Sequence, residues 1–372
     1  MVQGGSIGDL TVKGAGVKVA IEDAVVAMKL SGNFDAVCAS GDLTVINKLI
    51  VTEGSVRNFH LDGLDVSTIR LDCDVDDLVL NNCVVHGFRI NGSNGSSLKI
   101  NDCLLFNITE ISGCDYAACA LTNNSFSYTR ISSHFKSIDF NSSRFTMLLD
   151  LRGTRVDDKL DFTDTILVES MKLPKPEKYG GRIVFNGMVV KGAVNISLPG
   201  NRIDDERFFD EMVKCNSVEG LKVARTILED NCLYPMADNA FVAQKKKDIE
   251  DKKNPMGKRV LNILSYAFGG NGMRPSFILL WMVFTMLAFA AVFCLLDMHS
   301  TLLEDNGFLG SLMLSMTSFF LYDIISHGAG QLYLCLAEGV IGLLSMLYFT
   351  MVLTRKLLRR SEPGDQTILP SR

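Results

Sequence analysis

Basic residues are missing from one long part of the chain. Lysine and arginine are spread over the first 274 residues, but neither occurs from Pro275 to Thr354. A water-soluble domain would hardly leave such a stretch without a base, so this absence argues against an ordinary soluble fold there. The mean hydropathy of +0.21 coexists with 21% charged residues, which indicates that the hydrophobicity is local. With 372 residues, the chain has room for about two or three domains.

Other absences exclude whole classes of function. The net charge of -5 gives no basic footprint for nucleic acid, so no nucleic-acid partner is expected. The first residues contain no basic region followed by an apolar core, so we expect no signal peptide and a cytoplasmic N-terminal part. The ten cysteines are then expected to be packed thiols rather than disulfides.

No chemistry-bearing cluster stands out either. Cys73, Cys83, Cys103 and Cys114 recur at similar places, but there is no Cys-Xaa-Xaa-Cys pair and no accompanying histidine column. A stack of small buried side chains is therefore favoured over a metal ladder. The many aspartates are explained by turns and strand exteriors rather than by paired catalytic carboxylates. We expect no catalytic residue, no metal site, no cofactor and no enzymatic activity.

What is present in the first two hundred residues is a repeat. An apolar–any–apolar triplet, followed by Asn, Asp or another small polar residue, advances by nine to eleven residues per copy from Leu61 to Leu173. Clear copies are Ile69-Arg70-Leu71-Asp72, Leu78-Val79-Leu80-Asn81 and Phe88-Arg89-Ile90-Asn91. Alternation at period two makes each copy a short strand with one buried face. Polar turns with no helix between them wind such strands into a parallel β-solenoid.

This solenoid is predicted over residues 1–200 as a cytoplasmic domain. Its unit resembles a loose pentapeptide repeat or a right-handed β-helix, in which about two units make one turn. Residues 201–268 change to helical periodicity and are predicted to be an α-helical connector. One of its helices begins with a capping box formed by Asn216 and Glu219, and its last, 258–268, is predicted to lie flat at a membrane surface.

The rest of the chain is predicted to be an α-helical membrane domain, residues 269–360, followed by a cytoplasmic tail, 361–372. Residues 276–296 and 332–353 are each long and apolar enough to cross a hydrocarbon core of ~30 Å. Bases lie before the first span and after the second, at Arg274 and Arg355 among others, whereas the connection between the spans carries only acids. The positive-inside rule then predicts a multi-pass protein of the inner (cytoplasmic) membrane with both termini in the cytoplasm.

A third apolar segment, 308–320, lies between the two spans and is too short to cross. A half-membrane helix requires protein or an aqueous cavity around its backbone, which is the arrangement of a re-entrant pore helix. The candidate filter residues are Thr317, Ser318, Phe319, Phe320, Leu321, Tyr322 and Asp323, and the candidate inner-helix residues are Glu338, Gly339, Gly342 and Ser345.

Glu338 is the one carboxylate inside a predicted span. Such a residue usually faces water or a partner, so it is either part of an ion-attracting ring, a strut beneath the filter, or a group bonded to pore-helix hydroxyls. Cys335, Glu338, Gly342 and Ser345 fall on one helix face, where another subunit or the pore helix can approach.

The order of these segments resembles the two-transmembrane potassium-channel-like family. The inner helix carries the likeness, with Leu336-Ala-Glu-Gly-Val-Ile-Gly342 followed by an aliphatic stretch and Thr354-Arg-Lys. The connector, from Val223 to Lys247, is similar to those that join pentapeptide-type repeats to such pores in bacterial proteins. The resemblance implies an oligomer of about four copies, lipid contact and inorganic cations as the transported species.

The filter departs from that family. A potassium filter needs glycines so that successive carbonyls replace the hydration shell of the ion, and residues 317–323 contain none. The sequence therefore predicts a weakly selective cation channel gated by a ligand or partner of the solenoid. Two alternatives stay open: a non-conducting membrane-anchored scaffold or sensor, and a membrane-depolarising effector in bacterial defence.

Overall fold

The computed structural model describes residues 2–174, 181–196, 212, 214, 216–251, 255–269, 275–296, 298, 307–321 and 329–361. The chain divides into two compact units, Met1–Gln244 and Lys245–Arg372. The first is a parallel β-solenoid of about 8 turns followed by helices. The predicted solenoid is thus confirmed, whereas the predicted boundary near residue 200 lies outside the described residues.

Fifteen strands form the described part of the solenoid, and the pairings between them are parallel. The strands are β1 Val2–Ile46, β2 Lys48–Val66, β3 Ile69–Asn81, β4 Val84–Asn91, β5 Asn94–Asn101, β6 Leu104–Thr122, β7 Ser125–Asp139, β8 Arg144–Phe145, β9 Leu148–Asp150, β10 Arg155–Asp161, β11 Ile166–Leu167, β12 Ser170–Lys172, β13 Arg182–Val184, β14 Val189–Val190 and β15 Ala193–Asn195.

Each inward side chain stacks on its counterpart one coil away. Leu78 pairs with Leu98, and Leu98 with Cys119, so one coil takes about 20 residues, or two copies of the repeat. Phe140, Phe162 and Phe185 form an aromatic column with ring centroids 5.2 and 5.7 Å apart. Because the apolar positions recur at the same place in every coil, their stacking makes one continuous core.

Small polar side chains line the corners of the coils and bond to the backbone of the preceding coil. Asn124 donates from Nδ2 to the Ile100 carbonyl at 2.6 Å and accepts from the Cys103 amide at 2.8 Å. Ser143 donates to the Leu121 carbonyl at 2.6 Å. These bonds satisfy the buried backbone groups that no strand partner reaches, which is why small polar residues recur after the turns.

The end of the solenoid is closed by α1, Val218–Asp230. Its buried residues Leu221, Ala224 and Ile227 are fully enclosed, and the last two belong to the solenoid core itself. A second helix, α2, Tyr234–Glu250, continues the cover through Ala237 and Ala240. The helices therefore take the place of a further coil.

Two asparagines fix α1 across the last coil. Asn216 accepts from the Phe185 amide at 2.5 Å and donates to the Ile183 carbonyl at 2.8 Å. At the other end of the helix, Asn231 accepts from the Ile196 amide at 2.9 Å and donates to the Val194 carbonyl at 2.6 Å. Both repeat the bonding of Asn124 in the coils below.

The predicted capping box is therefore wrong. The N-cap of α1 is Ser217, whose hydroxyl accepts from the Gly220 amide at 3.2 Å. Asn216 cannot serve as the cap because the solenoid backbone already occupies both ends of its amide group.

Four helices lie in the described part of the second unit beyond α2. They are α3 Met256–Gly269, α4 Pro275–Leu295, α5 Gly307–Phe319 and α6 Ala329–Ser361. Two stretches, Pro275–Leu295 and Leu332–Thr354, are long and apolar enough to cross a membrane, and α5 is a shorter apolar helix. Only 22% of the most apolar window of each long stretch is buried within the chain, whereas the core helix of a soluble protein would be mostly enclosed.

Candidate functional site

The short helix α5 is fixed by its own hydroxyl groups. Ser311, Ser315 and Ser318 are fully buried and lie on one face of the helix. Ser311 Oγ donates to the Met298 carbonyl at 2.9 Å, and Ser315 Oγ lies 2.8 Å from the Met286 carbonyl of α4. An apolar helix therefore carries a polar face that is turned toward the protein.

Ser315 also joins α5 to α6. Its hydroxyl forms a hydrogen bond with Glu338 Oε1, so one residue of α5 contacts both α4 and α6. Glu338 is fully buried, and its Oε2 has no hydrogen-bond partner among the described residues. Of the three roles predicted for Glu338, this contact is the one expected of a group bonded to the hydroxyls of the short helix.

The glycines of α6 allow the close approach of α5. A methyl group on Gly342 would collide with the Phe319 carbonyl, and one on Gly339 would collide with the Leu321 side chain and lie 3.0 Å from the Ser318 carbonyl. The small face predicted on α6 therefore holds the short helix of the same chain. Cys335 is buried on this face, while Ser345 is half-buried and donates to the Ile341 carbonyl of its own helix.

The candidate filter overlaps α5, whose last three residues are Thr317, Ser318 and Phe319. Thr317 donates to the Met313 carbonyl at 3.0 Å and Phe319 is fully buried, whereas Phe320 is half exposed. Leu321 has a φ of 56°, and its amide donates to the Ser318 carbonyl at 3.0 Å. A left-handed backbone is strained for leucine, so a bulky residue here does adopt an angle that usually belongs to glycine. Tyr322 and Asp323 lie outside the described residues.

The cysteines of the solenoid fall into two columns rather than one. Cys83 stacks under Cys103, whose thiol accepts from the Cys83 amide at 3.3 Å and donates to the Asn101 carbonyl at 3.1 Å. Cys114 belongs to the other column, where its amide donates to Ser133 Oγ at 3.0 Å, and Cys73 is buried elsewhere in the core. Burial raises the pKa of the Cys73 thiol to about 12. Among the described residues, no group of three or more His, Cys, Asp or Glu could hold a metal ion.

Charged side chains form rows on the outside of the solenoid. His134 lies between two aspartates, with Nε2 2.8 Å from Asp157 and Nδ1 3.1 Å from Asp115. The hydrogen bond to Asp157, supported by Asp115, raises the pKa of His134 above its usual value. His134 in turn lowers the pKa of Asp157. This row was not singled out in the sequence, because its members are about 20 residues apart and meet only through the coil.

Neither the family models nor the curated proteins nor the solved structures contain a match to this chain.

Proposed function

We propose that this protein is an oligomeric ion channel of the inner membrane, gated by a ligand or partner of its solenoid. One observation carries the proposal: an apolar helix too short to cross a membrane is attached to two helices that are long enough. The attachment is polar, through Ser315 to the Met286 carbonyl and to Glu338. A re-entrant helix needs such internal partners, because lipid offers none to its polar groups.

In this proposal α4 and α6 are the outer and inner helices of a two-transmembrane potassium-channel-like subunit, and α5 is its pore helix. Both termini lie in the cytoplasm, and α3 lies flat at the membrane surface. Exposed Met256, Val260, Ile263 and Tyr266 support that position, since they follow one another at helical spacing along α3. The solenoid is taken to be a right-handed, pentapeptide-repeat-like coil.

Conduction requires several copies of the chain. Two helices and one pore loop do not enclose a conduit, so about four subunits are proposed. The apolar residues that α6 exposes, among them Leu336, Val340, Leu344, Leu347 and Met351, supply the surface for lipid and for neighbouring subunits. Crosslinking in mild detergent should give a ladder ending near four subunits, and a clean monomer would contradict any pore.

Selectivity should be weak. A filter without glycine cannot present a cage of dehydrating carbonyls, so ions would pass partly hydrated, with potassium and sodium nearly equal. The acidic residues of the connection between the spans favour cations over anions.

A non-conducting scaffold is the second candidate. It is favoured by the burial of Phe319 at the end of α5 and by the strained Leu321 that follows, because both fill the place where a potassium filter would open. In that case the membrane unit would only anchor and assemble the solenoid. A membrane-depolarising effector in bacterial defence would use the same conducting pore as the first proposal.

A flux assay in liposomes separates these candidates. The full chain should carry potassium and sodium across the bilayer. Gly342→Val should abolish the flux, because its side chain would displace the end of α5. Gly257→Val on α3 is the matched control, since an added methyl group there meets nothing within 4 Å. Absence of flux under every condition tried, with the oligomer intact, would support the scaffold.

A further inference from the structure

A groove of about 280 Å³ opens at one corner of the solenoid, where three successive coils turn. The residues that line it include Arg70, Arg89, His86, Ser67, Thr68 and Gly87. None of these side chains contributes to the core, and all belong to the same compact unit.

Two arginines lie directly side by side in this groove. Arg70 and Arg89 are parallel partners on neighbouring strands, which are about 4.8 Å apart in a sheet. Like charges in directly opposed positions destabilise a sheet. The direct pairing of the two guanidinium groups therefore does not itself stabilise the sheet.

Each arginine is steadied by one carboxylate but keeps donors free. Arg70 Nε lies 2.6 Å from Asp72, and Arg89 Nε lies 3.0 Å from Glu110. The terminal amino groups of both arginines make no hydrogen bond to any residue that the structure describes. Both side chains are about half exposed, 52% and 51%. Two guanidinium groups with free terminal amino groups thus line the groove, and such groups suit phosphate oxygens.

The groove is also lined by a flat ring. His86 stacks on Phe106 of the next coil, with centroids 5.4 Å apart and planes inclined by 24°. Its Nε2 lies 3.6 Å from Asp65 Oδ1, which is too long for a hydrogen bond, and the His86 side chain is 44% exposed. In the preceding coil the corresponding position is Ser67, because Val66 and Val85 are parallel partners. A serine is too small to cover the second face of the His86 ring.

Gly87 keeps the groove open. A methyl group added there would meet only the Ser67 carbonyl at 3.6 Å and the Thr68 hydroxyl at 3.9 Å, which are ordinary contacts. The backbone therefore does not require glycine at this position. Its missing side chain instead leaves the space between the arginines and the ring unfilled.

We propose that this groove binds a small phosphate ester that carries a planar ring, such as a mononucleotide. The phosphate bridges the terminal amino groups of Arg70 and Arg89, and the ring stacks on the open face of His86. This names the class of ligand that gates the proposed channel. It rests on the proposed function only for the consequence that binding changes the flux.

Binding is tested on the full chain in detergent micelles by equilibrium dialysis with radiolabelled AMP. AMP should bind saturably, and adenosine and inorganic phosphate should each bind at least tenfold more weakly. The double variant Arg70→Gln, Arg89→Gln should bind AMP at least tenfold more weakly than the wild type. Arg144→Gln, which changes an exposed arginine of the same solenoid outside the groove, should bind like the wild type.

Gly87→Leu gives a second, charge-neutral variant that fills the groove and should also weaken AMP binding at least tenfold. Binding of AMP that is absent, or equal in all variants, would overturn the proposal. A 5′-phosphorylated oligonucleotide that binds more tightly than AMP would overturn the assignment to a small ligand. If AMP binds but leaves liposome flux unchanged, the gating role fails while the site stands; flux without AMP binding refutes the site alone.

Discussion

Asn216 allows the closure of the solenoid to be tested quantitatively. The side chain is almost completely buried and bonds to the Phe185 amide, the Ile183 carbonyl and the Met212 carbonyl at 2.5, 2.8 and 2.5 Å. Asn216→Ala removes the side chain that bonds to the last coil. The Phe185 N–H and the Ile183 C=O then stay buried without these hydrogen bonds. Since an unsatisfied buried group costs about 1–3 kcal/mol, we expect a loss of roughly 2–4 kcal/mol in the stability of the closed end.

Amide hydrogen exchange of the full chain measures this loss locally. Because about 1.4 kcal/mol corresponds to a tenfold change in an equilibrium, peptides containing Phe185 should exchange roughly 30- to 1000-fold faster in the variant. Peptides from the middle of the solenoid should be unaffected, since each coil contacts only its neighbours.

Asn195→Ala provides the matched control. Asn195 lies in the last strand of the same coil, is exposed, and makes no side-chain hydrogen bond to any residue that the structure describes. In Asn195→Ala, the free energy of opening obtained from exchange should change by no more than about 0.5 kcal/mol. If peptides containing Phe185 exchange equally fast in the two variants, the hydrogen bonds of Asn216 do not hold α1 on the last coil.

Three further outcomes are expected. Asp323→Asn should reduce the preference for cations over anions in bilayer recordings, whereas Glu338→Gln should leave it unchanged, because Glu338 is buried between helices; equal effects would argue for an ion-attracting ring. His134→Gln should destabilise the protein more at pH 5.5 than at pH 8.5 in denaturant titrations. The pKa of His134 is raised in the folded protein, chiefly by Asp157. The resulting stability is present below the pKa of His134 in the unfolded chain and is lost as the pH rises through its pKa in the folded protein. Because the site is exposed, the effect should stay under about 1 kcal/mol. For topology, a cysteine replacing Ser300 should be labelled from outside intact cells and one replacing Ser361 should not, and labelling of both would refute the two-span arrangement.

The sequence predicts the solenoid because its signal is local and repeated. The alternation around Leu71, Leu80 and Ile90 can be seen within four residues, and the structure buries all three completely. The two long apolar helices are predicted for the same reason, since length and hydropathy are properties of a single segment.

Contacts between distant residues could not be predicted in the same way. The sequence favours a capping box for Asn216 because Glu219 follows three residues later. The groups that Asn216 actually bonds, in Phe185 and Ile183, lie about thirty residues earlier. Arg70 and Arg89 likewise become neighbours only when the coil closes. For Glu338, one chain sequence does not distinguish a face turned toward α5 from a face turned toward a pore axis.

The asparagines at the two ends of α1 also bear on assembly. Every coil of a parallel solenoid leaves a row of amides and carbonyls for the next one, so an uncovered end is a template onto which another molecule can add. Asn216 and Asn231 occupy backbone groups of that row in the last coil. The helix between them therefore blocks end-to-end growth of the solenoid into filaments. A solenoid shortened before Asn216 should polymerise rather than simply unfold.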